Sequence, residues 1–206
     1  MEFDRVAAHE PVTVEDEPRE AAVVVPVVSC ADGEAILFTK RADHLPDHPG
    51  QMSFPGGGYE PEDDDLLQTA LREANEEIGL DPMAVNVVGR LDDIRTITRY
   101  SVRPFVARIP DREYRPSDDE VAEVVTLPVS ELTDLENYES EQRDHPHYGE
   151  IRLHFFYVDG YTVWGATARM LVQLLELATD WEMPREPDRY AGPDDDLPPS
   201  VRDEVQ

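Results

Sequence analysis

The chain is 206 residues long and carries 46 acidic against 18 basic side chains, a formal net charge of −28. Phosphate neutralisation needs clustered Lys and Arg, so this surface excludes nucleic acid and anionic membrane as partners. Cys30 is the one cysteine, which excludes an internal disulfide and fits a reducing interior; together with an acidic N-terminus that lacks signal-peptide character, it points to a cytoplasmic protein.

Residues 1–20 are acidic with little periodicity and read as a loosely attached N-terminal extension. Residues 21–29 and 34–40 are rich in β-branched side chains and flank Ala31-Asp32-Gly33, which predicts a hairpin. Their apolar run is interrupted by Pro26 and is far short of the ~20 residues that cross a bilayer. Pro55-Gly56-Gly57-Gly58 predicts a turn that glycine conformations permit. A helix follows, with Asp63, Asp64 and Asp65 suited to capping its start and Gly79 placed for a left-handed C-terminal cap. Further strands are predicted over 84–91, 101–109, 121–127 and 151–158, with an irregular polar region over 132–150. Residues 166–178 carry Met170, Leu171, Leu174, Leu175 and Leu177 at helical spacing, with Trp164 read as a core anchor before Gly165. From 182 to 206 the chain is Pro-rich and acidic and reads as a disordered tail, leaving one domain over 21–181. Strands mixed with two substantial helices predict an α/β fold, an α/β/α sandwich with a mixed central sheet.

The helix after the glycines carries the chemistry. At about 100° per residue, Leu66, Leu67, Ala70, Leu71, Ala74 and Ile78 share one stripe, the mark of a face buried on a sheet. Glu73, Glu76 and Glu77 share a second stripe beside it. There each neighbouring like-charged pair costs roughly 0.2–0.5 kcal/mol in an isolated helix, so a cation belongs among them. One Arg cannot neutralise three carboxylates, whereas Mg²⁺ or Mn²⁺ takes carboxylate oxygens and keeps positions open for water and phosphate. Acidic surface is the competing reading in a chain with this composition. R-E-x-x-E-E-x-G arises by chance in roughly one of a thousand such chains, which favours a site.

The stretch resembles the Nudix box, G-x5-E-x7-R-E-U-x-E-E-x-G-U with U a bulky aliphatic residue. Gly58, Arg72, Glu73, Glu76, Glu77, Gly79 and Leu80 match, while Asp64 stands at the first Glu and Ala74 at the larger aliphatic position. Upstream, Leu37-Phe38-Thr39-Lys40-Arg41, Gly50 and Phe54-Pro55-Gly56-Gly57 resemble, without a gap, the signature that precedes the box in coenzyme A pyrophosphatases. Two positions depart: the signature Ser is Ala42 and its second Arg is Pro46.

That resemblance implies a hydrolase that cuts a diphosphate bond with Mg²⁺ or Mn²⁺. Its favoured substrate is coenzyme A or acyl-coenzyme A, giving 3′,5′-ADP and (acyl-)4′-phosphopantetheine. A pyrophosphatase for ADP-ribose, NADH or nucleoside triphosphate is the alternative, kept open by Ala42 and Pro46. A non-catalytic nucleotide sensor would have eroded glutamates, which this chain retains. By resemblance Glu73, Glu76 and Glu77 are the metal ligands and Arg72 orients Glu73. The general base is either Glu120, in the segment Asp118-Asp119-Glu120, or Glu73 acting through a water.

Lys40, Arg41, Gly56, Gly57, Gly58 and Phe54 are the candidate substrate contacts, and Phe54 and Tyr59 either stack on adenine or simply pack. Arg95, Arg99 and Arg103 either meet a phosphate or pair with surface acids. His44, His48, His145 and His147 read as solvated loop residues. A homodimer remains open. Only Lys40 among the basic residues is a lysine. At about 1 M salt the Debye length is about 3 Å and self-repulsion is screened, so the composition implies a salt-loving cytoplasm.

Overall fold

The structure, a computed structural model, describes residues 1–45, 48–96, 98–117, 119–145, 149–192 and 195. Pro46, Asp118, His147 and residues 196–206 of the expected tail lie outside the described residues. The centre of the fold is β1, Arg19–Cys30, flanked by β2, Gly33–Arg41, and by a strand late in the chain, Tyr100–Ile109. The short strands β3 Met52–Ser53 and β4 Gly56–Gly58 come next, then helix α2 Leu66–Ile78. After α2 run β5 Asn86–Arg90, β6 Ile94–Arg95, β7 Tyr100–Ile109 and β8 Val121–Pro128.

These eight strands form one sheet along the path β3-β2-β1-β7-β5, with β4 on β1, β6 on β7 and β8 on β2. It is mixed, because β1 and β7 run parallel while β1 and β2 form the predicted antiparallel hairpin, Val27 opposite Ile36 and Cys30 opposite Gly33. Pro26 has no N–H to donate. It falls between the residues of β1 that pair with β4 and those that pair with β2, which is how a proline is tolerated at the sheet centre.

Alternation along β1 builds two cores from one strand. Ala22, Val24 and Val28, with Leu37, pack on Ala70, Ala74 and Ile78 of α2. Val23, Val25 and Val27, with Ile36 and Phe38, face the opposite layer, where Leu171, Leu174 and Leu175 lie on helix α4, Gly165–Ala178. A strand buried on both faces reads as a continuous apolar run, as β1 does. The expected α/β/α sandwich with a mixed central sheet is therefore what the chain forms.

Several local expectations are corrected. The N-terminal residues are packed rather than loose: a short helix α1, Phe3–Ala7, buries Val6 in the α4 core. Glu2 N–H donates to Ala178 O at 2.6 Å, and the amine of Met1 pairs with Glu34. The polar region over 132–150 starts at the end of a helical turn, α3 Val129–Leu132, and contains a 3-10 turn, Leu135–Asn137, and a full strand, β9 Tyr138–His145. That strand belongs to a second, four-stranded sheet of β11 Tyr161–Trp164, β10 Gly149–Val158, β9 and β12 Arg189–Ala191. The described part of the expected disordered tail is thus ordered, with β12 parallel to β9, and Trp181 just before it is buried against Tyr138 and Phe156. Its polar sequence holds because Asp188 caps the pairing, accepting from Ser140 N at 2.8 Å, while Ser140 O accepts from Asp188 N at 2.9 Å. Trp164 is only half-buried, and Val163 takes the core position instead. Among the described residues no helix is long and apolar enough to cross a membrane.

Candidate active site

The site grows from the contact between β4 and α2. A Cβ on Gly56 would lie 2.3 Å from Ala22 O and 2.5 Å from Val23 Cα, and the residue has φ +150°, so only glycine lets β4 lie this close to β1. A Cβ on Gly57 would lie 2.5 Å from Glu73 Cδ. The missing side chain leaves room for that carboxylate against the strand backbone. Helix α2 begins at Asp65, which accepts from Gln68 N at 2.8 Å, and ends at Gly79 with φ +64°. There Gly79 N–H donates to Asn75 O at 2.9 Å and Leu80 N–H to Ala74 O at 3.3 Å, the expected left-handed cap.

Arg72 is the hub of the polar edge. It donates through Nε to Asp63 Oδ1 at 2.9 Å and through Nη2 to Asp63 Oδ2 at 3.0 Å, a bidentate pair. Nη2 also reaches Gly58 O at 3.2 Å. Nη1 donates to Glu73 Oε1 at 2.8 Å and lies 3.5 Å from Glu76 Oε2. The expected orientation of Glu73 by Arg72 is therefore present, and the chain adds a support that sequence reading missed. Asp63 has a side chain only 2% exposed and also accepts from Thr69 Oγ1 at 2.8 Å and Glu60 N at 3.1 Å. The Arg72 guanidinium, aided by those two donors, holds the Asp63 carboxyl well below the usual carboxylate range against the opposing effect of burial. Asp63 in turn raises the Arg72 pKa. Burial pushes the Glu73 carboxyl up, with Arg72 opposing.

Glu77 is buried and accepts from Gly56 N at 3.1 Å through Oε2. Glu76, with a side chain 56% exposed, faces outward. The three glutamates expected as ligands thus share the stripe around Arg72 and β4. As they stand, no three His, Cys, Asp or Glu side chains among the described residues converge into a cage for an ion. The reason is local: Arg72 draws Glu73 and Glu76 while a backbone amide holds Glu77. The donor chemistry fits a hard divalent cation, since all three groups offer carboxylate oxygen and the exposed Glu76 is held only by a long 3.5 Å contact with Arg72.

The other expected contacts divide. Glu120 and Arg41 come together: Glu120 Oε2 lies 4.0 Å from Arg41 Nη1, and Ala42 N–H donates to Glu120 O at 2.8 Å. Lys40 and Arg41 end β2 at an irregularity in its pairing with β8, beside the turn at Gly50. The Glu120 side chain is 61% exposed, as a mobile proton acceptor requires and as an ordinary surface acid also would be. Phe54 is corrected: it is 2% exposed and stacks on Phe38 with ring centroids 5.0 Å apart, so it presents no face to a substrate. Tyr59, by contrast, is exposed. Ala42, at the signature Ser position, is buried.

Arg95 pairs with Asp16. Arg103 makes a bidentate pair with Asp93, Nε to Oδ1 at 3.0 Å and Nη2 to Oδ2 at 2.8 Å. Asp93 was not singled out from the sequence, since one acid of an Asp-Asp pair in an acid-rich chain carries no signal. It is nevertheless fully buried and also accepts from Val14 N at 3.1 Å, tying residues 12–19 across the sheet end. A cavity of about 660 Å³ lies between that segment, Gly58 at the end of β4 with Tyr59 after it, and Arg90, Tyr100 and Arg103.

Comparison with known proteins follows the same lines. A family profile described as the NUDIX domain matches residues 18–148. An uncharacterized Nudix hydrolase NudL of Enterobacter sp. (strain 638) is 39% identical over 160 residues, covering 76% of this chain and 81% of the relative. A protein of the same description from Yersinia pestis (strain Pestoides F) is 35% identical over 159 residues, 77% of this chain and 79% of the relative. Among solved structures, a C. elegans Ap4A hydrolase binary complex superposes with a TM-score of 0.46 at 18% identity, over 53% of this chain and 80% of that one. The NUDIX domain of Shewanella oneidensis NrtR complexed with ADP ribose gives a TM-score of 0.46 at 16% identity, over 64% and 86%.

Proposed function

The chain belongs to the Nudix family, and from that membership we propose a divalent-metal-dependent hydrolase that cuts coenzyme A or acyl-coenzyme A at its diphosphate, releasing 3′,5′-ADP and (acyl-)4′-phosphopantetheine. The observation that carries the hydrolase reading is the carboxylate stripe of Glu73, Glu76 and Glu77 set around Arg72 and against a strand of glycines. Support for coenzyme A comes from the ungapped signature upstream, residues 37–41, Gly50 and Phe54-Pro55-Gly56-Gly57.

Glu73, Glu76 and Glu77 would hold Mg²⁺ or Mn²⁺, which supplies charge screening on the phosphate oxygens and acidifies a water. Arg72, locked by Asp63, orients the Glu73 carboxylate beside the glycine strand. Arg41 and Lys40 offer positive charge to a phosphate oxygen beside the Gly-rich strand. Glu120 takes a proton from water in this reading, and its pairing with Arg41 turns it toward the same end of β2. The protein works in a salt-rich cytoplasm, a setting supported by its charge of −28 and single lysine.

A substrate panel tests the choice. In molar KCl with Mg²⁺ or Mn²⁺, coenzyme A yields 3′,5′-ADP faster than ADP-ribose, NADH or nucleoside triphosphates yield their products. Turnover of another member without 3′,5′-ADP from coenzyme A would reject the substrate and keep the chemistry. No turnover of any member would reject the hydrolase.

A further inference from the structure

The cavity behind the glycine strand has a composition unlike the rest of the chain. Arg19, Arg90 and Arg103 line it against Glu15, Glu17 and Glu20, an even balance where the whole chain has 18 basic to 46 acidic residues. Two tyrosines join them. Tyr59 exposes its ring, and Tyr100 carries the Arg19 guanidinium 4.3 Å above its ring centroid, so a flat cation forms another stacking surface. Arg103 spends Nε and Nη2 on Asp93, and among the described residues its Nη1 has no hydrogen-bond partner, with the Glu20 carboxylate near enough to act on the guanidinium only through its charge; an N–H of a rigidly held guanidinium is left for a ligand oxygen.

The walls are built rather than incidental. Residues 12–19 are strapped down by Asp92 and Asp93, which accept from Val12 N at 2.9 Å and Val14 N at 3.1 Å, and by Ser101, whose hydroxyl donates to Val14 O at 3.1 Å. Arg90 Nη2 donates to Thr13 Oγ1 at 2.9 Å. The cavity also adjoins the carboxylate cluster, because Gly58 lines it while the Gly58 carbonyl accepts from Arg72. Its volume, about 660 Å³, suits a nucleotide-sized group.

We infer that this cavity is the subsite for the nucleoside phosphate half of the substrate, with the base stacked on Tyr59 and on the Arg19 guanidinium and an anionic or hydroxyl oxygen on Arg103. The N-terminal segment is then a specificity element, since it supplies Arg19 and one wall. The assignment rests on the diphosphate hydrolase reading only for which molecule is cut. Binding of a nucleotide is independent of turnover.

The test therefore uses AMP, which lacks a scissile diphosphate, and 4′-phosphopantetheine, the other half of the favoured substrate. Affinities are measured by calorimetry in molar KCl for wild type, Tyr59→Leu, Tyr59→Phe and Arg19→Gln, with circular dichroism as the fold control. Loss of a stacking surface weakens AMP binding by roughly 5–100-fold in Tyr59→Leu and by a smaller factor in Arg19→Gln. Tyr59→Phe keeps the ring and the wild-type affinity, and 4′-phosphopantetheine binds all four proteins equally. With the substrate that the panel identifies, Tyr59→Leu raises KM by a similar factor and leaves kcat within about twofold. Unchanged AMP affinity in both Tyr59→Leu and Arg19→Gln, or an equal loss for 4′-phosphopantetheine, overturns the subsite even if wild type hydrolyses coenzyme A. Ring-dependent AMP binding supports it even if no substrate is turned over.

Discussion

At the scale of single residues, the site depends on a carboxylate that does no chemistry. Asp63 fixes Arg72 from beneath and leaves one arm of the guanidinium for Glu73 and Glu76. Asp63→Asn removes the charge and breaks a largely buried pair. It should cost about 2–3 kcal/mol in urea unfolding and lower kcat by about 10–100-fold with KM little changed. Because the native pKa of Asp63 is depressed, its contribution is complete above the ordinary carboxylate range and is lost only as pH falls below about 4. His154 behaves differently. It is buried, bonded through Nδ1 to Tyr138 Oη at 2.8 Å, and burial, with the nearby charges of Arg152 and Arg169, lowers its pKa from 6.5 to about 4. A depressed histidine stabilises the fold above its unfolded pKa, and that stability is lost as pH falls from about 6.5 toward 4. Unfolding measured at pH 7 and pH 5 should differ by ~2 kcal/mol from this group, a difference that disappears in His154→Gln.

The residue scale also shows what the sequence could and could not tell. Arg72, Glu73, Glu76 and Glu77 were legible because helical spacing alone puts them on one stripe. Three consecutive aspartates hid their separate roles. Asp65 caps the helix, Asp64 stands at the outside, and Asp63 turns inward, a distinction set by the packing of the loop on β4. Phe54 is ambiguous in sequence for a related reason. An aromatic beside a glycine turn reads equally as a stacking platform or as core, and the neighbouring Phe38 decides for core.

Among the elements, those with an apolar period were legible and those held by polar pairing were not. Both cores of β1 and the inner face of α2 follow from alternation and from the 3.6-residue repeat. Strand β9, YESEQRDH, has almost no apolar residue, and its existence depends on partners from distant parts of the chain, β10 on one side and β12 on the other. The helix α1 spans five residues, too few for a periodic signal, and is fixed by burying Val6. Strand β4 was read as a turn because three glycines have no strand propensity. Its role is close approach. Gly57→Ala puts a methyl within 2.5 Å of the Glu73 carboxyl carbon, which must move. The expected result is a fall in kcat of at least about tenfold with a stability loss of about 1 kcal/mol, read from steady-state rates and thermal unfolding together. An unchanged kcat would separate the position of Glu73 from catalysis.

For the whole molecule the governing quantity is charge. With −28 spread over a compact fold, dilute buffer leaves repulsion unscreened, while molar KCl shortens its range to a few ångströms. Far-UV circular dichroism should show loss of structure as KCl is lowered from molar to tens of millimolar, with recovery on adding salt back. A spectrum that does not change would remove salt dependence from the account of this chain. The same excess of acid makes the carboxylate stripe unremarkable by composition and significant only by its geometry around Arg72. The decisive measurement is the release of 3′,5′-ADP from coenzyme A, followed with wild type and Glu77→Gln in molar KCl and Mg²⁺. Wild type should form the product, and Glu77→Gln should lose at least about 100-fold in rate while keeping its circular dichroism spectrum. Equal rates from the two proteins would contradict a metal site on this helix.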